Sequence, residues 1–499
     1  MNADALKLTD FIHAIPLIVM AGWACLVLLA DALGASRSAR LGPLALLGLL
    51  LGLGVCAWSW ATHPEPVSNL FGGMLLWDRY ALFFDMLFIL AGLLTVLIAG
   101  PYAREHRFAF GELHSLVLLV VTGMMLLIHA GDFVTLVIGL ETMSLGVYSL
   151  VASWSGNKKS AEAGLKYYVM GAVASAVLLY GIALIYGATG ETNLLRIAGK
   201  AGDLVGNKLF LVGMLLVMGA MAFKVAVVPF HAWTPDAYEG APTPITGFMA
   251  AAVKAAAFGI LLRVFSVVFG GPDYVFGLTG WSDIFEWLAI LTMTLGNLAA
   301  LRQSNIKRML AYSSIAHAGY IMIGVVAAGV LEGEKGAPVL YYLLAYTVTT
   351  IGAFGVVAWI GSRDSERVGL ESWNGLGERH PAAAAVMTLF MLSLGGIPPT
   401  AGFFAKFYLF KSALAHPGLL PLVLVAVGNS VVSIYYYLRP VVAMYFLKAP
   451  AEAEPVKPLG SGAVTLALVL AAVFVLVLGL IPSQYLDWAG QSVLAAVAR

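Results

Sequence analysis

Four ionisable side chains stand out inside stretches of this sequence long and apolar enough to cross a bilayer. Lys254 lies in "ITGFMAAAVKAAAFGILL" (245–262), with no other ionisable residue between Glu239 and Arg263. Arg263 reads as the marker of the membrane interface, nine residues on, roughly 13 Å along a helix. A lysine does not comfortably snorkel that far. Holding it mid-membrane costs about 2.5–3.5 kcal/mol even on a lenient insertion scale. The alanines around it let another helix approach closely. Glu141, in "FVTLVIGLETMSLGVYSLV", is placed the same way, nine residues past Asp132. A purely structural ion pair explains neither residue well, because desolvation roughly cancels the attraction.

The other two lysines accompany prolines. Lys224 stands five residues before Pro229 in "FKVAVVPFH", and His231 follows. In a continuous helix Pro229 deprives the Val225 carbonyl of its partner, so carbonyl, ammonium and imidazole would form a pocket that water can enter. Lys406 follows Pro398 and Pro399 in "GGIPPTAGFFAKF", which would free the carbonyls of Leu394 and Gly395. Lys166 and His317 are weaker candidates, the first near a helix start, the second behind Ser313 and Ser314. Gly171 and Ser175 form a small-residue face on the Lys166 helix. His129 reads as structural, and Asp85 is unexplained.

This inventory suits proton movement. It contains no nucleophile–base motif, phosphate loop or metal-ligand spacing, and the two cysteines, Cys25 and Cys56, form no CxxC pair. Burial disfavours an ammonium and a nearby carboxylate favours it. Moving one charge against 100 mV costs about 2.3 kcal/mol, and a two-unit pKa shift is worth about 2.7 kcal/mol. A buried lysine that switches charge can therefore gate a proton.

The elements that must position these residues are membrane helices. Of 499 residues, 61% are hydrophobic and 11% charged, and the mean hydropathy is +0.90. That excludes a soluble globular chain, and a net charge of +1 argues against nucleic acid. The reading is an all-α polytopic membrane protein of about 14 transmembrane helices. No stretch shows the alternation of a membrane barrel, so no strands are expected. The N-terminus shows no removable signal peptide. Lysine and arginine favour one set of loops, 14 against 9, which places both termini outside the cytoplasm. The helices broken at Pro229 and at Pro398–Pro399 count as the seventh and twelfth. A five-helix repeat has an odd number of spans, so its two copies would be inverted, with a site near the midplane. The expected units are 1–110 (helices 1–3), 111–268 (helices 4–8), 280–447 (helices 9–13) and 448–499, a flexible linker (Lys448–Pro458) and helix 14.

The stretches "GLETMSLGVYSLV", "LKYYVMGAVASAVLLYGIALIYG", "FKVAVVPFHAWTPDAYEGAPTPITGFMAAAVKAAAFGILLR", "NIKRMLAYSSIAHAGY" and "LGGIPPTAGFFAKFYLF" resemble the antiporter-like subunits of respiratory complex I, the proton-translocating NADH–quinone oxidoreductase. The resemblance covers roughly residues 131–412. It implies two inverted five-helix repeats and assigns Glu141 and Lys224 as a charge pair, Lys254 as the central lysine and Lys406 as the lysine of the second broken helix. Lys166, His231 and His317 would be relay groups. The lysine at 406, the chain length and the "LKYY" helix are similar to the N-type branch (mitochondrial subunit 2 type). The resemblance also implies a bacterial inner membrane, partner membrane-arm subunits including paralogues and small subunits, and no cofactor in this chain; flavin, iron–sulfur clusters and quinone would belong to partners. The alternative is a subunit of a multisubunit sodium/proton antiporter.

Overall fold

The computed structural model describes residues 7–35, 41–108, 111–275, 280–331, 336–361, 366–449 and 458–492. Most of the expected linker, 450–457, and the orientation residues Arg37, Arg40, Lys335, Arg363, Lys457 and Arg499 lie outside them.

Sixteen helices carry the architecture: α1 (Ile15–Ala30), α2 (Leu41–Thr62), α3 (Arg79–Glu105), α4 (Glu112–Ile128), α5 (Phe133–Val151), α6 (Lys158–Thr189), α7 (Lys208–Val225), α8 (Thr234–Gly240), α9 (Thr243–Val267), α10 (Trp281–Leu301), α11 (Ile306–Val330), α12 (Ala337–Ile360), α13 (Pro381–Gly395), α14 (Ala401–Ala413), α15 (Leu420–Phe446) and α16 (Gly462–Leu480). Twelve helices among the described residues are long and apolar enough to cross a membrane, and α4 and α13 are shorter apolar ones. One expectation fails: a small antiparallel hairpin, β1 (Val67–Leu70) and β2 (Leu75–Trp77), follows α2. It is too short to read as alternation.

The helices divide by environment. The apolar windows of α9, α12, α3 and α11 are 100%, 94%, 83% and 83% buried, against 17% for α1 and 28% for α6 and α15. The first four are apolar all round because protein surrounds them; the last three present apolar faces outward. Lys254 stands on the most enclosed helix, so it has no route along the outer surface to water.

α3 and α9 run antiparallel and are stapled at both ends. At one end Arg263 of α9 forks onto Asp78, the N-cap of α3, with both nitrogen–oxygen distances 2.9 Å. At the other, Glu366 accepts from Tyr102 of α3 and from the Thr243 backbone and hydroxyl of α9. Arg263, at the end of α9, is 1% exposed and lies over the Tyr80 ring. An arginine is stable there only because a carboxylate and a π-face replace water.

Two sets of local features recur. Asp132 caps α5 and Asn305 caps α11, each side chain accepting from the first backbone N–H groups of its helix. Before α5, Phe133 N–H donates to Thr192 O and Leu194 N–H to Gly131 O; before α11, Ile306 N–H donates to Val368 O and Leu370 N–H to Ser304 O. The first set lies at the Asp78 end of α3, beside the hairpin, where Asn193 donates to Gly73 O. The second lies at the Tyr102 end, where Lys307 meets Glu366.

Candidate functional site

The two helix breaks share one geometry. α7 ends at Val225, and Ala226 takes a left-handed conformation (φ 62°); α13 ends at Gly395, and Gly396 does the same (φ 80°). The N–H groups of Ala226 and Val227 turn back to the carbonyls of Phe223 and Ala222, and those of Gly396 and Ile397 to Ser393 and Leu392. Both helices are thus closed by their own backbone, as in a Schellman motif. Pro229 lies beyond this cap, not inside a helix as its spacing suggested. The chain stops being helical at Val225, so the Val225 carbonyl belongs to a helix end rather than to a proline gap. Trp233 Nε1 donates to Phe223 O (3.2 Å) across this break. At the second break the expected free Gly395 carbonyl is used: it accepts from Lys406 Nζ at 3.1 Å.

Lys224, 7% exposed, points from the last turn of α7 to α5. Its ammonium donates to Ser144 Oγ (2.8 Å) and Tyr148 OH (3.3 Å). No hydrogen bond joins it to Glu141, its partner in the expected charge pair: Glu141, half-buried one turn earlier on α5, accepts from Ser175 Oγ of α6 at 2.5 Å, and its charge acts on Lys224 from beyond contact. Ser144 takes the place nearest the ammonium. The small-residue face of α6 makes this possible. A methyl group on Gly171 would come within 1.9 Å of the Tyr148 hydroxyl, so the glycine leaves room for the Lys224 partner.

Lys254, 3% exposed, follows a π-helical turn, Met249–Val253, a distortion that often marks functional positions. It donates to the Ser314 carbonyl (2.6 Å) and to the Ser314 hydroxyl. Tyr238 OH of α8 reaches the same hydroxyl at 3.3 Å. The adjacent Ser313 bonds Tyr437 OH of α15. Tyr437 meets His317 Nε2 (2.9 Å), and His317 Nδ1 meets Tyr342 OH (2.6 Å). Lys406, 5% exposed, donates also to Ser430 Oγ (3.0 Å) and lies 5.1 Å over the Tyr320 ring, which in turn is edge-on to His317 at 5.9 Å. Lys254, His317 and Lys406 are therefore brought into one polar interior lined by serines and tyrosines.

Two candidate relay groups lie apart. Lys166 is an exposed residue paired with Glu162 (2.7 Å) and Asp236 (3.0 Å). It belongs to a charged vestibule of about 220 Å³ lined with Lys159, Glu162, Asp236 and Glu239, and Arg308 binds both Asp236 and Glu239. His231 is half-buried, and its Nδ1 has no hydrogen-bond partner among the described residues. No hydrogen bond joins it to Lys224.

Sequence reading missed several groups. Tyr437, Tyr342 and Tyr238 carry no signal of their own, since a hydroxyl leaves no mark in a hydropathy pattern. Lys307, fully buried, pairs with Glu366 at 2.9 Å from a loop 59 residues away in sequence. Glu366 is held below the usual carboxylate range. Burial alone would raise it, but the Lys307 ammonium and the donors Thr243 and Tyr102 outweigh that. Asp85 and His129, the first unexplained and the second taken as structural, form a buried pair at 2.8 Å.

Among the described residues none of Lys224, Lys254 and Lys406 makes an ion pair, and no group of three or more His, Cys, Asp or Glu could hold a metal. What the arrangement offers is three buried ammonium groups whose direct hydrogen-bond partners are neutral: hydroxyls and backbone carbonyls.

A family model described as NADH:quinone oxidoreductase/Mrp antiporter, transmembrane, matches residues 130–433. The chain is 46% identical to NADH-quinone oxidoreductase subunit N 1 of Sorangium cellulosum over 98% of this chain and 99% of the relative. It is 43% identical to NADH-quinone oxidoreductase subunit N of Trichlorobacter lovleyi over 96% of each. Among solved structures it is similar to a chain of respiratory complex I from Thermus thermophilus (TM-score 0.77, 33% identity, 95% of this chain and 99% of that one). A chain of the Mrp complex from Dietzia sp. matches with TM-score 0.84 and 23% identity over 97% of each, a likeness of fold alone.

Proposed function

The chain belongs to the NADH:quinone oxidoreductase/Mrp antiporter membrane-subunit family, and on that premise we propose that it is the N-type membrane-arm subunit of an NADH–quinone oxidoreductase that moves protons through its buried lysines. One observation carries the proton role: Lys224, Lys254 and Lys406 are buried with only neutral hydrogen-bond partners. An ammonium so placed is costly to keep charged and is poised to lose its proton when a charge nearby changes. Hydroxyls suit both states, since they accept from an ammonium and donate to an amine.

In this reading Lys254 exchanges its proton through Ser314, with Ser313, Tyr437 and His317 continuing toward the Lys406 region. Glu141 and Lys224 act as a charge couple at longer range, with Ser144 between them. Lys166 and the vestibule charges collect protons at the surface, and His231 serves the first break. Residues 111–268 and 280–447 are two inverted five-helix units, supported by the shared geometry of the two breaks and by the matched caps at opposite ends of α3. Residues 1–110 and 448–499 flank them. The chain holds no cofactor of its own; flavin, iron–sulfur clusters and quinone are carried by partners. Those partners are other membrane-arm subunits, paralogous and small, in a bacterial inner membrane with both termini of this chain periplasmic. A sodium/proton antiporter subunit is less well supported, since relatives at 40–46% identity are named subunit N and the Mrp likeness is at 23%.

The test is purification through a tag on this chain. Recovery of a complex that oxidises NADH, contains flavin and iron–sulfur clusters and acidifies vesicles supports the proposal. Recovery of a flavin-free complex that rescues a salt-sensitive host contradicts it.

A further inference from the structure

Asp85 lies on α3 seven residues past Asp78, roughly 10 Å from the helix start, and is 0% exposed. Its Oδ2 meets His129 Nε2 at 2.8 Å, and its Oδ1 has no hydrogen-bond partner among the described residues. His129, 5% exposed, closes α4 and places its Nδ1 2.9 Å from the Leu76 carbonyl of β2. A carbonyl only accepts, so Nδ1 carries a hydrogen. At 2.8 Å two lone pairs cannot face each other, so a second proton lies between Nε2 and Oδ2. The pair therefore holds one proton beyond a carboxylate and a neutral imidazole. The fixed charges beside it, Asp78 and Arg263, are already matched to each other. Cys56 of α2 is the other titratable group close by.

Its position gives this stored proton a direction. The pair stands at the Asp78–Arg263 end of α3 and α9, opposite the end where Lys307, Glu366 and the vestibule of Lys159, Lys166 and Asp236 lie. Lys254 is between the two ends on α9. Trp77 stacks on His129 at 5.8 Å, and on its outer side His13 meets Trp77 at 5.4 Å and His63 at 5.1 Å. Both outer histidines are half-buried. A row of imidazoles thus leads from the surface to the buried carboxylate, interrupted by one indole.

We propose that Asp85 and His129 form a proton-storing pair at the face opposite the vestibule, from which a proton leaves past Trp77 to His63 and His13. In the step, the proton shared by Nε2 and Oδ2 departs with the turning imidazole and is taken up by water or His13, with His63 beyond it. Asp85 is left as a carboxylate until the next proton restores the pair. The proposal rests on the transport role given above.

The experiment is NADH-driven acidification of vesicles carrying the whole complex, with Asp85→Asn, His129→Gln and, as reference, Lys254→Ala. Asparagine and glutamine keep hydrogen-bonding capacity but hold no exchangeable charge. Asp85→Asn is expected to lower NADH-driven proton transport several-fold, with Asp85→Glu restoring most of it. Normal transport in Asp85→Asn alongside loss in Lys254→Ala overturns the storing pair and leaves the transport role intact. Normal transport in Lys254→Ala overturns both. If Asp85→Asn does not assemble, His129→Gln decides: normal transport there overturns the proposal, and a several-fold loss in assembled complex supports it.

Discussion

Two kinds of buried cation occupy this molecule. Arg263 and Lys307, at opposite ends of the central helices, each meet a carboxylate at 2.9 Å. Lys224, Lys254 and Lys406, between those ends, meet only hydroxyls, carbonyls and aromatic faces. The first kind is fixed: its charge is matched, and removing either partner leaves the other uncompensated. The second kind touches no carboxylate, Lys224 having Glu141 only at longer range, so neutralising it breaks no ion pair. Burial is common to both, and the partner distinguishes a staple from a switch.

The largest effect should follow from breaking a staple. Asp78→Ala leaves Arg263 charged and unpartnered in the interior, a loss of about 3–5 kcal/mol. The expected outcome is complex lacking this chain or unfolding at markedly lower temperature, read by subunit content and thermal denaturation. Full assembly and unchanged thermal stability would erase the distinction between the two kinds of cation.

A smaller effect should follow at a lysine whose setting is altered without touching its charge. Gly171→Ala drives a methyl group into the Tyr148 hydroxyl, an overpacking worth about 1–3 kcal/mol, and pulls one partner from Lys224. Proton transport should fall, whereas Gly219→Ala, with nothing within 4 Å, should behave as the parent. Equal transport by the two variants would detach Tyr148 from the mechanism.

The smallest effect concerns pH at the second staple. Glu366 is held below the usual carboxylate range, chiefly by Lys307 against the opposing effect of burial. A carboxylate depressed on folding contributes stability above its unfolded value, about 4.3, and loses that contribution as pH falls through the folded value. Thermal stability should therefore decline as pH drops below that range, and Glu366→Gln should decline less because it has no such contribution to lose. An identical acid profile in both would show that Glu366 does not report on the staple.

Much of this was legible in the sequence. Long apolar segments gave the helices, and a lysine nine residues from the next charge could only be an interior one. The Gly395 carbonyl, read as lacking a helical partner, accepts from Lys406. What was not legible depends on long-range contact. The pairing of Arg263 with Asp78 spans 185 residues, and no local pattern records it. Pro229 looked like a defect inside a helix, whereas the left-handed Ala226 ends the helix first. Ser144, which takes the Lys224 ammonium one turn along α5 from Glu141, carries no sequence signal of its own.

The central claim, that an unmatched buried lysine is present for its proton and not for stability, is tested most directly by Lys254→Met in the intact complex, measured for NADH-driven proton transport and thermal stability together. Lys254→Met should assemble, with stability unchanged or raised and transport largely lost. Transport at the parent rate, or loss of transport only in step with loss of stability, would contradict it.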